Sequence, residues 1–329
     1  LKPPLDMKNC IKSVHFQWLF FLLTTLFILT GCETMVNDLE EGKLPKATSK
    51  ITAECFLSPQ SAYIEVNVSE SQPLFGSSAG YPRVLPDAEV IISGDNGSVN
   101  IPFIDSLNIY QINSSLFRLQ AGKTYRLLIN HNNRKVTSEC TIPLHEPVVK
   151  SYSIDSVTNT TGDMWVTNYI RFSWEDYKGQ VNYYNVRGYA LLEDTRLLYD
   201  HTTNLTLPYR LSQTIQLDYA YLRNQISDKN LDGFTFESPT FKINTPPAYL
   251  IEYTDENGNL QTTESDPKLK QIHFEILNVD EHYYRYHRSM NDSYNNDNPF
   301  TEPALIYSNI DGGLGCFGAY NTGKLTVFP

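Results

Sequence analysis

Short apolar runs of period two, closed off by turn residues, are the strongest constraint on how this chain can fold. In Tyr63-Ile64-Glu65-Val66-Asn67-Val68 the apolar residues Ile64, Val66 and Val68 fall on one face of an extended segment. Ala88, Val90 and Ile92 repeat the pattern, and Asp95-Asn96-Gly97 then turns the chain toward Val99 and Ile101. After Gly122 come Tyr125, Leu127 and Ile129. His131-Asn132-Asn133 next turns into a run from Val136 to Ile142 that Pro143 ends. With Ile51 to Phe56 in front, six or seven strands occupy residues 49–145, which fits an Ig-like β-sandwich. The 22 tyrosines and 18 prolines agree with a β-rich chain of many turns.

Pro143 and Pro147 bracket a linker, and residues 146–329 read as a larger antiparallel β domain with one helix. Its strand signals are Tyr169 to Trp174, Tyr183 to Ala190, Phe234 to Phe236, Tyr249 to Tyr253, and the alternating Ile272, Phe274 and Ile276. Asp255-Glu256-Asn257-Gly258 reads as a hairpin turn. The spacing predicts a helix over Glu281 to Met290, with Asn278 at its cap and Glu281 three residues on as a capping box. No repeat of 20–50 residues is present, which argues against a solenoid or propeller.

The N-terminal segment carries an address. From Met7, with Leu1 to Asp6 read as an alternative start, Lys8 and Lys12 precede an apolar stretch from Trp18 to Thr30. That stretch is shorter than the ~20 residues a membrane-spanning helix needs and suits a signal peptide over residues 1–31. It ends in Leu29-Thr30-Gly31-Cys32, which resembles the bacterial lipobox, and this implies a lipid on the Cys32 thiol. Acyl chains bury many methylene groups at about 0.8 kcal/mol each and would make a firm anchor. Residues 32–48 are polar and read as a tether. The net charge of −11 means that lipid rather than a basic patch would hold the protein to a membrane. The same charge, with no Lys/Arg cluster, argues against nucleic acid as a partner.

Candidate chemistry is sparse. Asp228-Lys229-Asn230-Leu231-Asp232-Gly233 matches the first half of an EF-hand loop, which makes Asp228, Asn230 and Asp232 a calcium candidate. The twelfth position holds Pro239 instead of Glu, so a structural turn is the favoured reading. His282 and His287 are five apart and do not share a helical face. His-Glu-x-x-His does not occur. Gly312-Gly313-Leu314-Gly315 lacks the following helix and Lys-Ser/Thr pair of a phosphate loop and reads as a tight bend into a final strand ending near Phe328. Of the cysteines outside the signal peptide and lipobox, Cys55, Cys140 and Cys316, a Cys55–Cys140 bridge is sterically conceivable, and buried reduced thiols are the favoured alternative. The Tyr/Trp-rich stretches Trp174 to Tyr184 and Tyr283 to Tyr286 could stack on sugar rings or a barrel mouth, or simply pack. No catalytic residues and no cofactor are expected.

The C-terminal stretch Asn298-Pro299-Phe300-Thr301-Glu302-Pro303, Ile306-Tyr307-Ser308-Asn309-Ile310 (read as a strand) and Gly312 to Tyr320 resembles the Bacteroidota outer-membrane lipoprotein family called domain of unknown function 4249. Cys32, Pro86 to Val90, Gly122 to Leu127, Ser227-Asp228 with Asp232-Gly233, and the Tyr-rich helix agree with it in order. The resemblance implies a lipoprotein in the outer membrane, exposed on the cell surface, that partners a TonB-dependent receptor barrel. Acidic residues at 38–41 resemble the surface-export signal of such proteins. The expected function is a non-enzymatic accessory or ligand-capture role beside that receptor, with the ligand unspecified. The alternatives are a structural subunit of an envelope assembly or secretion complex and, less favoured, a surface hydrolase. Asp105-Ser106-Leu107 and Asp155-Ser156-Val157 resemble Bacteroidota O-glycosylation triplets, which makes Ser106 and Ser156 candidates on exposed connections.

Overall fold

The computed structural model describes residues 49–72, 83–159, 165–217, 225–294 and 305–329. In chain order the strands begin with β1 (Ile51–Leu57), β2 (Tyr63–Glu70), β3 (Arg83–Val84), β4 (Glu89–Gly94), β5 (Gly97–Asn100), β6 (Phe103–Ile104) and β7 (Ile109–Asn113). They continue with β8 (Thr124–His131), β9 (Arg134–Thr141), β10 (Val149–Thr158), β11 (Val166–Glu175), β12 (Tyr183–Asp200), β13 (Leu205–Gln216) and β14 (Gln225–Ser227). The last are β15 (Thr235–Glu237), β16 (Phe241–Thr245), β17 (Tyr249–Thr254), β18 (Leu260–Ser265), β19 (Lys268–Val279), helix α1 (Glu281–Tyr294) and β20 (Leu314–Val327). The expected turns are where the local chemistry put them. Asn132 and Asn133 both take positive φ between β8 and β9, and Gly258 does so in the β17–β18 hairpin.

A ten-stranded sheet is the spine, ordered β13-β12-β19-β20-β1-β2-β7-β6, with β14 on β12 and β3 on β2. Two four-stranded sheets cover one of its faces. The sheet β5-β4-β8-β9 closes a core with Ile51, Ala53, Cys55 and Leu57 of β1. The sheet of β10, β11, β15 and β16 closes a second core with Tyr184 and Val186 of β12 and Ile272, Phe274 and Ile276 of β19. Successive side chains of a strand point to opposite faces, so Phe56, Tyr183, Leu277, Val279 and Tyr320 emerge on the other side. Helix α1 packs there through Tyr283 and Tyr284.

The division near residue 145 does not divide the hydrogen bonding. β20 lies between β1 and β19, parallel to β1 in register Thr52↔Leu314 to Leu57↔Ala319 and antiparallel to β19 from Val279↔Tyr320 onward. Phe317 and Ala319, at the far end of the chain, therefore belong to the N-terminal sandwich core. Gly315 makes this possible: its φ is +110°, and a Cβ there would run into the Ala53 carbonyl. Residues 306–310 are not a strand, contrary to expectation. The Asn309 side chain instead pairs with the Phe317 backbone, accepting from its N–H at 2.9 Å and donating to its carbonyl at 2.8 Å. Ile310 is buried in the sandwich core, and Asp311 forms a backbone bridge to Thr137.

The helix is also capped two residues later than expected. Asn278 remains in β19, where its side chain donates to the His145 carbonyl. Asp280 is the cap, its Oδ1 accepting from the Tyr283 N–H at 2.8 Å. The helix N-terminus can sit this close to β20 because Gly318 has no side chain: a Cβ there would be 3.1 Å from the Tyr283 nitrogen.

Candidate functional site

The outer face of the spine, beside α1, holds an open cavity of about 370 Å³. Its floor is aromatic. Phe56 meets Tyr283 and His287, each at 4.9 Å between ring centroids, and Tyr283 stacks on His287 at 4.0 Å. The alternation that buries Cys55, Ile64 and Val66 turns Glu54, Tyr63, Glu65 and Asn67 to this face. Arg187 of β12 closes another side.

The electrostatics of this groove are one-sided. Arg187 is committed to Glu275 at 2.5 Å, and Lys324 reaches the same carboxylate at 3.3 Å. Burial disfavours the Glu275 charge, but the two cations more than offset it and hold its carboxyl below the ordinary value. Glu54 and Glu65 make no ion pair among the described residues. Burial raises the Glu54 carboxyl, opposed by a hydrogen bond with Tyr286. Burial pushes the His287 imidazole down, so the ring is neutral at pH 7. Its Nδ1 lies 3.0 Å from the Tyr283 carbonyl, which makes Nδ1 the protonated nitrogen and leaves Nε2 with its lone pair.

A second cluster gathers part of the predicted calcium loop. Carboxylate oxygens of Asp176, Asp228 and Asp232 lie within 4.8 Å of one another. Asn230, the third residue of the predicted loop, is exposed with a φ of +70°. Backbone donors engage the three carboxylates. Asn182 N–H donates to Asp228 at 2.8 Å, Gly233 N–H to Asp176 at 2.8 Å, and Gly179 N–H to Asp232 at 2.7 Å. The Tyr184 hydroxyl donates to Asp176 at 2.6 Å. Burial raises the Asp228 carboxyl, and the charges of Asp176 and Asp232 add to the shift. The cluster clasps the loop after β11 to the loop after β14, as a structural turn would. Three carboxylates are also oxygen donors of the kind a hard cation takes.

Cys32 lies outside the described residues. Ser106 is exposed in the tight turn from β6 to β7, as expected. Ser156 is not on a connection: it lies in β10, and its hydroxyl donates to Asn168 Oδ1 at 2.7 Å. His282 and His287 diverge as their spacing predicts, His282 pairing with the Tyr307 hydroxyl at 2.7 Å. Trp174 and Tyr184 are fully buried in the second core, while the partly buried Tyr177 and Tyr183 of that stretch stack on His145 and Tyr284. Cys55, Cys140 and Cys316 are buried and unbridged. Burial raises all three thiols well above the ordinary range, which makes them unreactive.

Of the groove residues the sequence singles out Tyr283 and His287, but not Glu54, Glu65 or Arg187, and it does not single out Asp176. Asp176 meets Asp228 only through tertiary structure. Glu54, Glu65 and Arg187 sit at the polar positions of alternating strands, where the pattern reads as solvent-facing. Besides the Tyr-rich stretch at 283–286, a signal was that Phe56 stands at such a position, an aromatic residue on the polar face of β1.

The model of a family described as a domain of unknown function (DUF4249) matches residues 38–326. The chain belongs to that family. The DUF4249 match runs from before β1 into β20 and so takes in both cores and the helix that walls the groove. Among curated proteins none matches the chain.

Proposed function

We propose that this DUF4249 member is a Bacteroidota outer-membrane lipoprotein, anchored through lipid on Cys32, that acts without catalysis as a capture or accessory partner of a TonB-dependent receptor. The observation that carries the reading is the groove beside α1. Its floor and walls stand on sheet and helix, so its shape is held before any ligand arrives, which lowers the cost of binding. Its groups are those of recognition: aromatic faces, hydrogen-bonding side chains and uncompensated carboxylates. The lipobox motif supports the anchor. Sixteen residues separate Cys32 from Ser49, a reach of up to ~60 Å at ~3.5 Å per residue step, ample to seat the body against a neighbouring barrel.

Affinity purification from native outer membranes tests the reading. The expected result is one receptor barrel in stoichiometric yield, together with a growth defect on deletion that is confined to particular nutrients. A general loss of outer-membrane proteins on deletion, with no barrel recovered, would replace this reading with an envelope-assembly subunit.

A further inference from the structure

We propose that the groove between α1 and the outer face of β1 and β2 binds an organic cation, the ammonium or guanidinium group of a lysine- or arginine-like ligand. This names the ligand class for the capture reading above and rests on it. Phe56, Tyr283 and His287 pack together as an aromatic floor, and Tyr63, half exposed, lines the same groove with a ring open to a ligand. Ring faces carry negative potential and attract cations. Among the described residues Glu54 and Glu65 supply two carboxylates on the same face with no ion pair, Glu65 accepting only from the neutral Gln111 amide at 2.7 Å, while Arg187, which also lines the groove, is consumed by Glu275. His287 adds an acceptor, since its proton is on the nitrogen that faces the Tyr283 carbonyl. A neutral sugar would find the hydroxyls and amides it needs but would leave two charges unmatched, and an anion would meet both carboxylates. A cation satisfies the acceptors, the rings and the charge together. The chain's net charge of −11 steers the same class of ligand inward.

The test uses the full chain purified in detergent and isothermal titration calorimetry. The probes are the tripeptide Gly-Lys-Gly, its norleucine counterpart of nearly equal shape without the charge, and the free diamine cadaverine. The lysine tripeptide is expected to bind with a Kd of roughly 0.1–1 mM, weakening as salt rises, and the norleucine peptide at least about tenfold more weakly. Binding of cadaverine as well assigns recognition to the ammonium alone; binding of the tripeptide only assigns it to a peptide-borne cation, and both support the proposal. Glu54→Gln is expected to weaken binding about fivefold or more, and Glu65→Gln, at an exposed position where folding is not at risk, by about threefold. Asp95→Asn, a matched charge removal at the β4–β5 turn, is expected to change nothing. Equal affinity for the norleucine peptide, no measurable binding of either cationic probe, or unchanged affinity in Glu65→Gln with native circular dichroism overturns the proposal. Recovery of a receptor barrel does not depend on these probes, so the capture reading and the cation assignment can fail separately.

Discussion

Replacing Phe317 with alanine should destabilise a sandwich whose other strands all lie some 170 residues or more earlier in the sequence. Phe317 pairs with Cys55 across the parallel β1–β20 ladder and is fully buried in the core built by β1, β2, β4 and β8. Its backbone is clamped on both polar groups by the Asn309 side chain, so the strand cannot slide to refill the space. Truncating a buried phenylalanine removes its transfer free energy and leaves a cavity, at a cost of about 3–5 kcal/mol. Against a domain stability of about 5–15 kcal/mol this is a large fraction. At about 2–4 °C per kcal/mol it corresponds to a fall in Tm of roughly 6–20 °C. Thermal melting followed by circular dichroism measures the size, and hydrogen exchange measures the place. Amides of β1 and β2 should lose protection as strongly as those of β20, and a fragment ending at residue 145 should lack the stable core of the full chain. A variant melting within 2 °C of the parent, or one losing protection only after residue 145, would refute the shared core.

Asp280 should make stability fall with rising pH. Burial pushes its carboxyl up to about 7, and its Oδ2 is buried without a partner. Between the ordinary carboxylate value and that raised one the folded state holds a proton the unfolded state has released. Stability is therefore greatest below about pH 4 for this group and declines up to about pH 7, by at most roughly 4 kcal/mol. In urea titrations at pH 5 and pH 8, Asp280→Asn should show a smaller loss than the parent, and an unchanged pH slope would contradict the burial argument. Cys32→Ala should abolish metabolic labelling with fatty acid; a labelled variant removes the anchor from the proposed function. If the native protein is O-glycosylated, the intact-mass shift should disappear in Ser106→Ala and survive in Ser156→Ala, because only the first serine stands free in an exposed turn.

Strand identity was legible in the sequence because the side-chain period of two is a local property. Ile64, Val66 and Val68 show their buried face without reference to any partner. The Asn132-Asn133 and Asn257-Gly258 turns were legible for the same reason, since positive φ is cheap only for a few residue types. The helix showed its spacing, but not which of two competent caps would serve. Both Asn278 and Asp280 can cap, and the choice fell to Asp280 because Asn278 is still paired with Asn321 of β20 and Tyr184 of β12. Likewise Asp155-Ser156 reads as turn chemistry, yet the pairing of β10 with β11 draws both residues into a strand.

Tertiary structure alone decided which strands became neighbours, and with that, where function can reside. Nothing local in Leu314 to Val327 states that it will lie parallel to a strand more than 250 residues earlier, because backbone hydrogen bonds are the same for every partner and the packing of two whole cores selects the pair. The groove follows from that choice. Glu54 and Glu65 carry the ordinary pattern of a solvated face until β20 brings β19 and α1 alongside β1 and sets Tyr283 and His287 over Phe56. An alternating sequence determines which side of a strand faces a core; what covers the opposite side is settled only when distant segments pack.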